Sequence, residues 1–254
     1  MKKVQELRFE KDYSEVNGLK MYYEIYHAEK SGGAVVPLVL IHGGGSTIQS
    51  NFEKVIPLFA KSRKVIAVEL QAHGRTNDRG RPSSFEQDAD DVATLLKNLE
   101  IEKADFLGFS NGGTTTLQIA IRHPQIVHKM VLGSALAKRN GVPKWFWEFM
   151  QQATLAQMPI QLQEAYTKVA HDIKGLQTMH DRDAKRMVDF KDIPDDAIKA
   201  INNPTLIIVG DKDIITLDHA IELHRQIAES SLAVIPGGHG AYLGEITTIA
   251  PTFK

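Results

Sequence analysis

The sequence predicts an α/β protein: a mostly parallel central sheet flanked by helices, with a small helical cap inserted. Three observations predict it. Short apolar runs recur at 37–41, 65–68, 126–132, 204–209 and 232–235, with stretches of helical periodicity between most of them. Strands buried on both faces of a parallel sheet read as such runs, and their alternation with helices implies right-handed crossovers. A further short strand, ADFLGF at 104–109, runs straight into a glycine-flanked serine and then a helical pattern, TTTLQIAIRH. Between 137 and 191 the rhythm fails, and the chain reads as helices alone.

The chain opens with two expected strands, 4–10 and 19–27, joined by a turn at Asn17-Gly18. That dipeptide is a strong hairpin signal, because both residues tolerate positive φ. A loop at Ser31-Gly32-Gly33 leads to the buried run PLVLI, which ends in His42-Gly43-Gly44-Gly45-Ser46-Thr47. One helix is expected from there to about residue 60, before the strand at 65–68. Ser84, backed by Glu86 and Gln87, opens the next helix, which runs to about residue 99. The elbow strand, its helix and the three later apolar runs complete the sheet. Residues 1–136 and 192–254 are therefore expected to form the core, and 137–191 the cap.

Three helical stretches fill the cap, at 143–157, 162–179 and 181–190. Both tryptophans fall here, Trp145 and Trp147, with Phe146, Phe149, Met150, Met158, Tyr166, Met179 and Met187. Such an insertion is expected to cover the C-terminal ends of the strands, where open α/β sheets bind ligands. Trp145, Phe146, Phe149 and Met150 are the candidate pocket residues.

A chain of 254 residues suits one large domain, or a core with an insertion. The net charge of -1 gives no reason to expect nucleic acid or an anionic membrane as partner. Without cysteine there can be no disulfide, thiolate metal site or cysteine nucleophile. No apolar stretch approaches membrane-spanning length, and the N-terminus lacks the apolar run of a signal peptide. A soluble, cytoplasmic protein acting on a small-molecule substrate is expected, with no cofactor and no metal. The oligomeric state is left open.

Gly108-Phe109-Ser110-Asn111-Gly112 between strand and helix is a nucleophile-elbow pattern. So sharp a turn strains the serine backbone, and side chains two residues to either side would collide. A serine hydroxyl also needs a base, a group to orient that base, and donors for the developing oxyanion. His239, in the PGGHG stretch after the last apolar run, is the candidate base. Asp211 and Asp213 follow the preceding strand, and either could orient it. The order Ser, Asp, His is that of α/β-hydrolase triads. The HGGG stretch offers a backbone N–H that can approach an oxyanion, and the Asn111 N–H at the helix start is the natural second donor.

HGGG, ELQAHGRT, GFSNGG, VGDKD and GGHG occur in the order seen in the α/β-hydrolase family, and the chain resembles that family over nearly its whole length. ELQAHGRT departs from the family's Asp-x-x-Gly-His-Gly-x-Ser pattern at Glu69 and Ala72. The segment after His239 is short for the family's last helix. The resemblance implies Asp213 as the catalytic acid and Gly44 as the main oxyanion amide. Asp211 is then expected to be a solvated turn residue. It implies a serine esterase-like hydrolase acting on an ester, lactone or related carbonyl through an acyl-enzyme. C–C bond hydrolysis, acyl transfer, or a non-catalytic receptor on the same fold are the alternatives. A serine nucleophile speaks against dehalogenase and epoxide-hydrolase chemistry, which in this family use aspartate.

Other readings of these residues are blander. His42 and His73 are expected to brace loops through backbone hydrogen bonds. His219 and His224 stand five apart on a helix, the wrong spacing for paired metal ligands, and no HExxH occurs. A dinucleotide site at 37–69 would use Gly43 and Gly45, with Glu69 on the ribose. It fails because Ile48 stands where the third glycine is needed.

Overall fold

The computed structural model describes residues 8–28 and 35–244. The expected strand residues 4–7 and the loop at 31–33 lie outside that range. So does most of the segment after His239.

A hairpin of β1 (Phe9–Val16) and β2 (Leu19–Tyr26) opens the described chain, turning at Asn17 (φ 49°) and Gly18 (φ 78°). Positive φ at both positions is what a type I′ turn requires. The first strand extends to Val16, well past the expected end at residue 10. Its outer part is mostly exposed, as befits a sheet edge, so it carries little apolar pattern to read.

Six shorter strands follow: β3 (Leu38–Ile41), β4 (Val65–Val68), β5 (Ala104–Phe109), β6 (Val127–Gly133), β7 (Thr205–Gly210) and β8 (Ser230–Ile235). The eight form one sheet in the order β1-β2-β4-β3-β5-β6-β7-β8. The pairs β1·β2 and β2·β4 are antiparallel, and the rest are parallel. Side chains alternate between the two faces. Val39, Ile41, Ile66, Val68 and Phe106 join the larger core, whereas Leu38, Leu40, Val65, Ala67 and Leu107 join the core on the other face.

Helices α1 (Ile48–Phe52) and α2 (Ile56–Phe59) replace the single helix expected up to residue 60. Pro57 explains the break, since its ring would clash with the carbonyl four residues back. α3 (Phe85–Asn98) starts where expected, with the Ser84 hydroxyl accepting from the Gln87 N–H at 3.1 Å. α4 (Asn111–Arg122) follows the elbow.

The insertion contains α5 (Lys144–Gln152), α6 (Ile160–Val169) and α7 (Gly175–Val188). The stretch expected to be one helix over 162–179 therefore breaks after Val169, and its end joins the third stretch in α7. Asp172 makes the turn, its carboxylate accepting from the Lys174 N–H at 2.9 Å. The two ends of the insertion meet where the Ile193 N–H donates to the Ala137 carbonyl at 2.9 Å. Tyr166, Leu176 and Met179 pack with Ala72 of the core as a small cluster, while Trp147, Met187 and Phe190 belong to the main core. α8 (Asp195–Lys199) packs on α4 and on α9 (Leu217–Gln226), which itself packs on β7 and β8. No helix among the described residues is long and apolar enough to cross a membrane.

Candidate active site

Ser110 occupies the turn from β5 into α4 with φ 54° and ψ −119°, a strained conformation for any residue but glycine. The flanking glycines are sterically compulsory. A Cβ on Gly108 would lie 2.1 Å from the Gly112 carbonyl oxygen, and one on Gly112 would lie 2.1 Å from that of Ile41. Neither obstacle is a flexible side chain that could step aside.

Three strand ends then bring the expected partners together. His239, in the loop after β8, has Nε2 3.0 Å from Ser110 Oγ. Its Nδ1 lies 2.7 Å from Asp213 Oδ1, beyond β7. That oxygen also accepts from the Ile215 N–H at 3.0 Å, and Oδ2 accepts from the Ser134 hydroxyl at 2.6 Å. Burial pushes the Asp213 carboxyl up. Hydrogen bonds from His239, Ser134 and Ile215, with attraction to His239, outweigh it and hold the group below the usual carboxylate range. An ionised Asp213 can only accept, so Nδ1 carries a proton and Nε2 offers its lone pair to Ser110.

Asp211 is exposed but not idle. Its Oδ1 accepts from the Gly237 N–H at 2.7 Å, tying the histidine loop to the end of β7, so the expectation of a merely solvated turn residue was too weak.

Two residues missed in the sequence support the acid. Ser134 follows β6 with φ 49° and donates to Asp213. Its single proton is thereby used, so the Tyr242 hydroxyl must be the donor across the 2.8 Å contact between them. Burial pushes the Tyr242 phenol up, which keeps that proton in place. Nothing distinguishes Ser134 in the sequence from any serine after a strand.

The three loop glycines differ in what their amides do. Gly43 N–H donates to Asn51 Oδ1 at 2.7 Å, and Gly45 N–H to Asp183 Oδ2 at 2.6 Å. Among the described residues the Gly44 N–H has no hydrogen-bond acceptor, and neither does the Asn111 N–H at the start of α4. Asn111 also lays its carboxamide against Gly44, with Nδ2 2.5 Å from where a Cβ there would stand.

His42 braces this loop as expected, with Nδ1 2.7 Å from the Gly43 carbonyl and Nε2 accepting from the Leu70 N–H at 3.1 Å. Burial pushes it down to about 3, so it is neutral. His73 does more than expected. Nδ1 faces the Gln71 carbonyl at 2.9 Å, and Nε2 faces Asp183 Oδ2 at 2.9 Å. Two acceptors require two donors, the imidazolium form. Burial pushes His73 down, but the Asp183 carboxylate more than reverses this.

Asp183 also pairs with Arg186, which reaches Asp88 on α3 at 2.5 Å. These α7 residues left a readable trace: Leu176, Met179, Asp183, Arg186 and Met187 form one buried stripe, so two charges lie on an apolar helix face.

The four candidate pocket residues all lie on α5. Trp145 is 42% exposed, Phe146 and Met150 pack half-buried against the main core, and Phe149 is half-buried. What approaches the glycine loop is different. Met158 Cε and Leu162 Cδ1 stand 3.0 and 3.7 Å from where a Gly45 Cβ would be. Among the described residues, no three His, Asp or Glu side chains gather where they could hold a metal ion.

Residues 36–177 match the sequence profile of the alpha/beta hydrolase fold. The chain is 28% identical over 260 residues to the Homo sapiens serine hydrolase BPHL, a match covering 94% of this chain and 84% of that one. It is also 28% identical over 246 residues to a pimeloyl-acyl-carrier-protein methyl ester esterase of Neisseria meningitidis serogroup C, covering 87% and 93% respectively. Among solved structures, the 2-hydroxy-6-oxo-6-phenylhexa-2,4-dienoate hydrolase of Rhodococcus sp. strain RHA1 superposes with a TM-score of 0.76 at 20% identity, over 94% of this chain and 95% of that one. At that identity it shows a shared fold.

Proposed function

The chain belongs to the α/β-hydrolase fold family, and from that premise we propose that Ser110, His239 and Asp213 hydrolyse a small, partly apolar carboxylic ester, lactone or related carbonyl substrate. His239 Nε2 takes the Ser110 proton as Oγ attacks the carbonyl carbon. The Gly44 and Asn111 N–H groups receive the tetrahedral oxyanion. Asp213 keeps His239 in the tautomer that can accept and stabilises the imidazolium that forms. His239 then returns the proton to the leaving group, leaving an acyl-enzyme, and water attacks that with His239 as base again.

One observation carries the reading: the unbroken chain from Asp213 through His239 to Ser110, at 2.7 and 3.0 Å, beside two amides that have no acceptor among the described residues. Donors aimed at a developing oxyanion are worth about a hundred- to a thousandfold each in kcat. A small substrate fits the surroundings, since His239 is only 9% exposed and Met158 and Leu162 reach the glycine loop. Residues 137–191 act in this reading as a cap. Similarity to a methyl ester esterase supports an ester as the substrate class.

The test is Ser110→Ala. A fluorophosphonate probe should label the native protein once, and the substitution should abolish both labelling and turnover of an activated ester. Labelling that survives it would remove Ser110 from the mechanism.

A further inference from the structure

We infer that Asp183, carried on α7 of the insertion, is a positioning residue for the oxyanion amide: by holding the Gly45 N–H it fixes the peptide that presents the Gly44 N–H to the substrate. The inference rests on the reading of Ser110 as nucleophile.

Three consecutive glycines are the least ordered backbone a chain can offer, and they lack side chains by which neighbours could hold them. An oxyanion donor is useful only if it is aimed before the charge develops. Here the aim is set from both sides. Asn51 of α1 takes the Gly43 N–H at 2.7 Å, and Asp183 takes the Gly45 N–H at 2.6 Å. Only the amide between them is left for a substrate. The core supplies one brace and the insertion the other.

Asp183 is itself held fast. Its Oδ2 lies 2.9 Å from His73 Nε2, and its Oδ1 pairs with Arg186, which is anchored to Asp88. The pairing also answers an electrostatic objection, since a bare carboxylate beside an oxyanion would oppose catalysis. Its charge is offset by the His73 imidazolium and the Arg186 guanidinium, with Asp88 beyond them. The Asp183 oxygen can thus hold the Gly45 amide without imposing its full charge on the site. The insertion completes the catalytic loop as well as covering it.

A residue that only holds the cap would affect large substrates and stability. One that aims the Gly44 amide would slow even an ester too small to reach the cap. The experiment measures kcat and KM for phenyl acetate and a longer ester, per titrated Ser110, together with inhibition by a boronic acid that forms a tetrahedral adduct on the serine. Asp183→Ala should lower kcat about a hundredfold for both esters, leave KM within about threefold, and weaken the boronic acid by a similar factor as kcat. Asp183→Asn, whose carboxamide oxygen can still accept from Gly45, should lose only about tenfold in kcat and in boronic-acid affinity.

Unchanged kcat and boronic-acid affinity in either folded variant, whatever the change in stability, would overturn the inference. Should Asp183→Ala fail to fold, the shape-conserving asparagine variant decides by the same two readouts. Ester turnover that survives Ser110→Ala overturns both this inference and the nucleophile reading. Loss there with full activity in Asp183→Ala overturns this inference alone.

Discussion

The two sides of the proposed site are built in different ways. Ser110, Asp213 and His239 stand just past the ends of β5, β7 and β8, so the hydrogen-bond register of one sheet sets their separations. The glycine loop at Gly43–Gly45 has no such frame on its far side. On that side it is held by a side chain from α7, 138 residues away along the chain. On the proposed reading, nucleophile and base are placed by backbone at strand ends, whereas the Gly44 amide is held between Asn51 of α1 and a long-range carboxylate. Substitutions at strand ends and in the loop braces should therefore hurt in different ways.

The largest effect is expected on the strand-end side and separates two neighbouring acids. Asp213→Asn should lower kcat by about ten-thousandfold, because an amide there favours the wrong histidine tautomer. Asp211→Asn keeps an oxygen that can accept from Gly237 and should stay within about tenfold. Purified variants, one activated ester and a circular dichroism check of folding make the measurement. A large loss at Asp211 instead would break the assignment of strand-end roles.

A smaller effect contrasts two buried histidines, His219 on α9 and His73 beside Asp183, through pH. Burial pushes His219 down to about 4, and its Nε2 accepts from the Ala137 N–H at 3.0 Å. A histidine kept neutral in the fold gives stability that is present above its unfolded value and is lost as pH falls towards 4. Between pH 7 and 5 the loss should be about 2 kcal/mol. His73 is raised instead, so its contribution is full below the unfolded histidine value and is lost as pH rises through the folded one. Urea unfolding from pH 5 to 8 of His219→Asn and His73→Asn, each against the native protein, should show opposite signs of slope in the stability difference. The same sign for both would remove the imidazolium from beneath the insertion.

The elements that the sheet organises were legible in the sequence, because buried strands and glycine turns write local patterns. Gly108 and Gly112 are an example: the collision that requires them is with backbone only a few residues away or on the adjacent strand. Long-range side-chain contacts write no such pattern. Asn51, Ser134, Tyr242 and Asp183 each act through a partner distant in sequence or placed by the fold. Only Asp183 left a clue, a charge on the apolar stripe of α7. The expectation of a pocket on α5 rests on aromatic composition, which does not say which side of a helix faces the loop; Met158 and Leu162 are the residues beside Gly45.

The smallest effect sharpens that last point. Met158→Ala, beside Gly45, should shift the preference between short and long acyl chains by about tenfold, whereas Trp145→Ala should shift it by less than about twofold. Equal shifts would make α5 part of the pocket.

The proposed mechanism passes through an acyl-enzyme on Ser110. Rapid acid quenching during turnover of a slowly deacylating ester, followed by intact-mass and peptide analysis, tests it most directly. One added acyl group per chain is expected, on the peptide that contains Ser110, and none in Ser110→Ala. Turnover with no adduct under conditions where deacylation limits the rate, or an adduct on another residue, would contradict it.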